Sequence, residues 1–514
     1  MEYVAPVSTQ PWGAACLILA LAIFSFVLYR AYFHPLARIP GPPSARFSGS
    51  WRNARYWRGT WHEDILELHR KYGRVVRIGP NEVAVVDGTT AKRLYGPGTT
   101  SVKARWYSTW DPPFASASFA ERDKQHHAFL RKRASAAYAM SSILKYEPYM
   151  QESLDEVLQK FKKYAGKQID LAEWINAFAY DVVGQLGFGE AFGHVKGETD
   201  VMDLRKTIFE GANLQACMGY FVVGFGEHYW GQMRVFTNGV TAMLLKLVGA
   251  PIPLAKFDSW GTKRIKARMA SADSDEWVRD DMLSHFSRMK KADGSHAEFE
   301  EVLVEALQLV GAGADTVSTA MRTCVLAICK HAEVYARLQK EIDDFYVANN
   351  LSGGISYRET QSLPYLVAVC KEAMRLFPSI VFQLPRYAPD GGLYIDGKHI
   401  PAGYEVGISP LAQNHDTAIW GEDAGEFKPE RWLESEERSR YLSSFDLTFG
   451  GHGPRMCVGR NIALVEVHKF IAQLFHHFDV QVCDMERPWR IKSFWFAYQH
   501  DFQCVLTPRE RFAL

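Results

Sequence analysis

Hydrophobic patterning along the chain names four helical elements. Residues 12–29 are apolar and uncharged with no polar face, a run of about 18 residues that just suffices to cross a bilayer. Residues 301–327 have the length and apolar content of an interior helix, although Gly311, Ala312 and Gly313 interrupt them; each glycine costs about 1 kcal/mol against alanine. In residues 363–377, Leu366, Val369, Cys370, Ala373 and Phe377 share one helical face, with Ser362 expected as N-cap, Pro364 near the first helical position and Pro378 as stop. Glu372 and Arg375 project from the opposite side, which periodicity alone reads as an exposed ion pair contributing about 0.3 to 0.5 kcal/mol. Residues 460–475 repeat the pattern through Ile462, Ala463, Val467, Phe470, Ile471, Leu474 and Phe475. Strand-like runs at 75–86, 393–400 and 503–506 are short and scattered, so the expected fold is mainly α with small β-sheets.

Composition narrows the function classes. Basic and acidic side chains nearly cancel, 59 against 58, which leaves no charge excess for nucleic acid. Eight cysteines lack CxxC pairs and regular spacing; they form neither a disulfide framework nor a zinc site, and suit a reducing compartment.

The N-terminal run adds a location. Trp12, Tyr29 and Tyr32 stand where interfacial aromatics are expected. Arg30, Arg38, Arg46, Arg52, Arg55 and Arg58 follow, so the positive-inside bias leaves the remainder cytosolic. A cleaved signal peptide is the alternative; Glu2 and the lack of Lys or Arg before the run weigh against it. The expected organisation is a lumenal segment 1–11, a transmembrane anchor 12–32 in the endoplasmic reticulum membrane, a proline-rich hinge 33–45 containing IPGPP, and a catalytic domain 46–514.

Candidate chemistry concentrates at residues 449–459, FGGHGPRMCVG, where Cys457 lies among four glycines at the start of the 460–475 helix. Backbone N–H groups and the positive helix end favour a thiolate there. A buried, inert cysteine is the other reading of the residue alone. Asp315 and Thr316 follow the glycines of the 301–327 helix; close helix packing, with Thr316 bonded to its own backbone four residues back, competes with a functional role.

The 449–459 loop resembles the haem-binding loop of the cytochrome P-450 monooxygenases. The resemblance implies the P-450 fold, with haem b between the 301–327 helix and a Cys457 thiolate that ligates the iron, as thiolate ligation favours O–O cleavage. It places Arg455 and Phe449 in the cofactor site. The family's phenylalanine usually stands seven residues before the cysteine, whereas Phe449 stands eight before and Gly450 takes that place; either a one-residue bulge restores the contact or the thiolate is less shielded. AGADT at 312–316 is similar to the family's oxygen-binding helix, so Thr316 would hydrogen-bond activated oxygen and Asp315 would connect it to solvent; Val317 replaces a second hydroxyl residue. EAMR, with Glu372 and Arg375, and PERW, with Arg431, resemble the ExxR and PERW motifs and imply a buried structural triad. Arg131, with His127 where tryptophan is common, and Arg386 resemble propionate-binding positions. These motifs keep the family's order along the chain.

The resemblance further implies insertion of one oxygen atom of O2 into a small apolar organic substrate. Residues 106–119, 208–225, 379–384 and 494–498, all rich in aromatics, would overhang the haem. No dinucleotide or flavin fingerprint is evident, so electrons would come from NADPH through a separate flavoprotein reductase, docked near Lys132, Arg133 and Arg455. The residues after the anchor are similar to those of fungal members that tailor polyketides, terpenoids or alkaloids. Two alternatives remain: a haem-thiolate isomerase, dehydratase or nitric oxide reductase, which Asp315 with Thr316 disfavours, and a non-catalytic haem protein.

Overall fold

A computed structural model describes residues 10–112, 114–222, 243, 247, 255–270 and 279–509. Residues 1–9 of the expected lumenal segment and 223–225 of the stretch 208–225 lie outside the described residues.

Helix α1 (Gln10–Leu28) begins an apolar stretch, Trp12–Phe33, of 22 residues with mean hydropathy 2.2 and none of it buried. A helix that exposes only apolar side chains is a candidate membrane anchor. The segment after it, expected as a stiff connector, is instead docked on the body of the protein. Leu36 and Ile39 are buried beside Val75, Val83 and Val85. The Arg77 backbone N–H donates to the Pro40 carbonyl at 2.7 Å, and a β-carbon on Gly41 would collide with the Arg77 carbonyl. The buried Arg77 guanidinium donates to the carbonyls of Leu36 (3.3 Å) and Pro80 (2.7 Å), while Arg30 donates to Asn81 Oδ1 at 3.0 Å. Local sequence shows proline stiffness; it does not show what the prolines lie against.

Strand-like runs resolve into small sheets. Strands β1 (Val75–Gly79) and β2 (Glu82–Val85) form a hairpin turning at Pro80 and Asn81, and β3 (Gln168–Asp170) lies far from it. Strands β4 (Arg386–Tyr387), β5 (Leu393–Ile395), β6 (Lys398–Ile400) and β7 (Glu405–Gly407) follow. The largest sheet has the order β1-β2-β7-β4, with β2 and β7 parallel; β5 and β6 make a hairpin whose turn carries Asp396 and Gly397 at positive φ. The last strands are β8 (Phe478–Val482), β9 (Arg490–Ser493), β10 (Ala497–His500) and β11 (Gln503–Pro508). They form a β9-β10 hairpin and a β3-β11-β8 sheet.

Helices dominate the rest. Those that position the site are α2 (Lys124–Ala134), α3 (Leu171–Phe188), α4 (Phe299–Lys330), α5 (Pro364–Leu376) and α6 (Arg460–His477). The 32-residue α4 is the axis of the core, packed by α3, α5 and α6. A reciprocal cap between Glu298 and Glu301 starts it slightly earlier than the apolar pattern predicts. Its glycines have separate explanations. A β-carbon on Gly313 would stand 3.1 Å from Val183 of α3, so that glycine permits close helix packing, whereas one on Gly311 would meet nothing within 4 Å.

One expectation for α5 fails. Its N-cap is Leu363, not Ser362, and the first free backbone donors, Tyr365 N and Leu366 N, are taken by the two carboxylate oxygens of Glu341 at 2.9 and 2.8 Å. A carboxylate from elsewhere supplies the cap and the favourable charge at the helix start. Glu372 and Arg375 are fully buried, as the resemblance implies and periodicity alone does not, because the segment from Asn414 to Arg431 covers their side of the helix.

Candidate functional site

The Cys457 loop is shaped by its glycines. Gly450 and Gly451 both have positive φ, +76° and +92°, and a β-carbon on Gly451 would approach Tyr95 Cβ to 2.7 Å. One on Gly453 would meet the carbonyls of Tyr95 and Gly96 at 2.5 Å, so only glycine lets the loop press onto that neighbouring backbone. Cys457 N donates to the Phe449 carbonyl at 2.9 Å, so the two backbones meet across the longer spacing.

Cys457 itself stays accessible at the approach to α6, whose N-cap is Gly459. Enclosure by protein raises its thiol pKa; the backbone N–H groups of Gly459 and Arg460 and the charge of Arg131 pull the other way, toward thiolate. Among the described residues no group of three or more His, Cys, Asp or Glu side chains could chelate a metal. A lone sulfur of this kind fits an iron whose equatorial ligands are supplied by a porphyrin.

Cations converge beside the loop. Arg131 of α2 donates to the Met456 carbonyl at 2.7 Å, Arg455 to the Glu121 carbonyl and to that of Arg122 at 3.3 Å, and Arg386 of β4 to Tyr107 Oη at 3.0 Å. His127 is buried among them; desolvation first, then Arg455, Lys103, Arg131 and Arg386, push its pKa down to about 3, so its imidazole is neutral. Lys103 was not anticipated. It is 5% exposed, donates to the Phe119 carbonyl, and holds its ammonium 4.6 Å from the Tyr107 ring centroid and 4.8 Å from that of Phe119. Burial lowers its pKa, and Arg386, Arg455 and Arg131 lower it further against only Glu121. Three arginines and Lys103 beside the carboxylates of Glu121 and Asp123 leave a positive surplus that a dianion would neutralise. The two propionates of haem have that charge, so the donor set fits the cofactor. The one sequence signal for Lys103 is a lone basic residue next to the aromatic stretch 106–119.

On α4, the Gly311, Ala312 and Thr316 face is open: Ala312 is exposed although it lies mid-helix in the core. Thr316 Oγ1 donates to the Ala312 carbonyl at 2.7 Å, and the Thr316 carbonyl accepts from Ser379 Oγ at 2.6 Å. Asp315 turns away from that face. Its Oδ1 accepts from Asn176 at 2.9 Å and its Oδ2 from Tyr498 at 3.0 Å and Tyr180 at 3.2 Å. At 4% exposure it does not itself touch the solvent to which the resemblance has it connect activated oxygen. One residue along a helix is a turn of about 100°, so Asp315 meets α3 when Thr316 meets the open face. The link outward runs through Asn176, whose Oδ1 accepts from Arg205 at 3.4 Å; Arg205 donates to the exposed Glu173 at 2.9 Å. Burial raises the Asp315 pKa, opposed by Asn176, Tyr498, Arg322 and Tyr180.

Aromatic side chains close the space alongside. Trp495 stacks on Phe119 (5.1 Å) and Phe496 (4.9 Å) and meets Trp110 edge-on at 4.2 Å; Trp106 stacks on Phe382 at 4.2 Å. Gln308 of α4 accepts from Phe119 N at 3.1 Å, and Thr319 donates to the Ala497 carbonyl at 3.5 Å, which ties this wall to the helix.

The structure also brings Glu372, Arg375 and Arg431 together. Glu372 accepts from Arg375 at 2.8 Å on both oxygens, from Arg431 Nε at 2.7 Å and from Trp432 Nε1 at 2.9 Å. Of the three expected reductase-docking cations only Lys132 is exposed. Arg133 pairs with Glu301 at 2.5 Å with its side chain 6% exposed, and Arg455 belongs to the cationic cluster.

A family model described as Cytochrome P450 matches residues 39–501. The chain is 30% identical to "Cytochrome P450 monooxygenase gsfF" of Penicillium aethiopicum, covering 95% of this chain and 96% of the relative. It is 30% identical to "Cytochrome P450 monooxygenase cicH" of Emericella nidulans over 96% and 98% of the two chains, and 29% identical to "Pisatin demethylase" of Fusarium vanettenii over 97% and 94%.

Proposed function

The chain belongs to the cytochrome P450 family, and from that premise we propose that it is a haem b-dependent monooxygenase of the endoplasmic reticulum membrane, acting on a small apolar substrate in fungal secondary metabolism. The family match makes it an oxidoreductase with a redox partner, O2 and an organic substrate. Relatives named as fungal monooxygenases support the metabolic setting.

One observation carries the reading: an accessible thiol at the start of a core helix, beside cations that a dianionic cofactor would neutralise. Bound there with the Cys457 thiolate as a ligand, haem would supply oxygen activation. Cys457 would hold the iron, Arg131, Arg386, Arg455 and Lys103 the propionates, with His127 neutral between them. The Thr316 hydroxyl, which donates to the Ala312 carbonyl in this structure, would turn to the open face and hydrogen-bond there. Asp315 would be the acid behind it, held by Asn176, Tyr180 and Tyr498 and linked by hydrogen bonds through Asn176 and Arg205 to the exposed Glu173. The wall of Trp106, Phe119, Phe382, Trp495 and Phe496 would exclude water and orient a neutral ring system. Glu372, Arg375 and Arg431 touch none of these groups and would serve only to hold the Cys457 loop. Electrons would arrive from NADPH through a separate flavoprotein reductase meeting the exposed Lys132.

The reduced protein under carbon monoxide is expected to show the red-shifted Soret band of thiolate-ligated haem, lost in Cys457→Ser. Supplied with reductase, NADPH and isotopically labelled O2, it is expected to place one labelled atom in each product molecule. Absence of the band, or product without label, overturns the reading.

A further inference from the structure

The Asp315 carboxylate is held by three neutral donors from two different elements. Asn176 and Tyr180 come from α3, part of the rigid core, and Tyr498 comes from β10, which is continuous with the aromatic wall. The Tyr498 ring meets Phe209 edge-on at 4.4 Å and lies 5.5 Å from Phe496 and 5.7 Å from Phe494, so one side of this residue faces the wall and its hydroxyl reaches the acid. Thr319 donates to the Ala497 carbonyl at 3.5 Å and Arg322 to the Gln499 carbonyl at 2.7 Å. The backbone on both sides of Tyr498 is therefore fastened to α4, whereas its ring is in contact with Phe209, Phe494 and Phe496, so a displacement of those rings reaches the phenol.

We propose that Tyr498 is a positioning residue that couples occupancy of the aromatic wall to the proton affinity of Asp315. A phenol that donates to a carboxylate stabilises the anion, so loosening it makes the acid bind its proton more tightly. The remaining groups around Asp315 are fixed: Tyr180 and Asn176 on α3, Ser318 and Arg322 on α4, with Glu173 and Asp170 facing Arg322 and Arg205 facing Tyr180. Tyr498 is the donor in this set that belongs to the wall. The proposal rests on the monooxygenase reading for what the proton is used for; the coupling itself needs no turnover.

The test is infrared titration of the haem-loaded, full-length protein, following the protonated carboxyl band assigned to Asp315 by its loss in Asp315→Asn. In Tyr498→Phe, which removes one hydroxyl and keeps the ring, the midpoint is expected to rise by about one pH unit. Adding biphenyl to saturation, as a neutral aromatic probe, is expected to move the midpoint in the wild type and in Tyr180→Phe but not in Tyr498→Phe. A wild-type midpoint unmoved by biphenyl, an unchanged midpoint in Tyr498→Phe, or a biphenyl response that survives in Tyr498→Phe overturns the proposal. Failure of oxygen incorporation with this pattern intact would strike the monooxygenase reading alone.

Discussion

Arg431 Nε donates to Glu372 Oε1 at 2.7 Å, joining residues 59 positions apart at a site where neither side chain is more than 3% exposed. Arg375 completes the arrangement, with its other donors on the carbonyls of Asn414 (2.5 Å), Ala424 (2.8 Å) and Glu426 (3.2 Å). Two buried guanidinium groups thus share one carboxylate, and Arg431 has a second, Asp423, at 3.3 Å. Glu372→Ala leaves Arg375 buried with no carboxylate and Arg431 with Asp423 alone, and is expected to destabilise the protein by about 3 to 5 kcal/mol. Urea unfolding of the haem-loaded form measures this, and a loss below about 1 kcal/mol would show that the network is dispensable.

Glu305 of α4 carries the opposite imbalance. It is 2% exposed, its Oε2 accepts from Gln308 at 3.3 Å, and its Oε1 has no hydrogen-bond partner among the described residues. Burial, opposed by Arg133 and reinforced by Glu301, pushes its carboxyl up to about 7. Because the folded value lies above the unfolded one, the folded state binds the proton more tightly. Its stability cost is therefore absent at low pH, grows between the two values and is complete above about 7. Glu305→Gln is expected to stabilise the protein at pH 8 by on the order of 3 kcal/mol and to have little effect near pH 4.5. Equal denaturation midpoints for the two proteins at pH 8 would contradict this account.

Lys103 should have effects of opposite sign with and without cofactor. Its ammonium repels Arg386, Arg455 and Arg131, so Lys103→Met is expected to raise the melting temperature of the haem-free protein. In the loaded protein it removes a charge-assisted contact of about 1.5 to 3 kcal/mol, and haem transfer to apomyoglobin is expected to accelerate by roughly tenfold or more. Unchanged transfer would take Lys103 out of the cofactor site.

Docking of the segment after the anchor depends on Arg77, 1% exposed and hydrogen-bonded to Leu36, Gly79 and Pro80. Arg77→Met keeps most of the volume and removes those bonds. Trypsin cleavage after the exposed Arg38 is expected to accelerate on the order of tenfold as the segment opens locally, with the carbon monoxide spectrum unchanged. Equal cleavage rates would mean that Leu36 and Ile39 hold the segment without it.

What the chain determines by itself is local. Helices α4, α5 and α6 are legible because apolar residues recur at the helical period over many turns, and the 12–29 run because nothing charged interrupts it. The glycine-rich approach to Cys457 is legible because the backbone conformations it needs exclude other residues: Gly450 and Gly451 take positive φ, and Gly453 lies against another backbone. Periodicity reports which side of a helix is apolar and is silent about what covers the other side. Thus Glu372 and Arg375 project as surface charges until residues 414–431 fold over them, Asp315 reads as a route to solvent until α3 and β10 enclose it, and Arg133 reads as a docking cation until Glu301 takes it. Lys103 carries only the faint signal of a basic residue beside an aromatic stretch and the Glu341 cap on α5 carries none, since each matters through groups brought near by distant parts of the chain. Burying a charge is tolerable only when such partners are present, and which partners arrive is decided by tertiary structure.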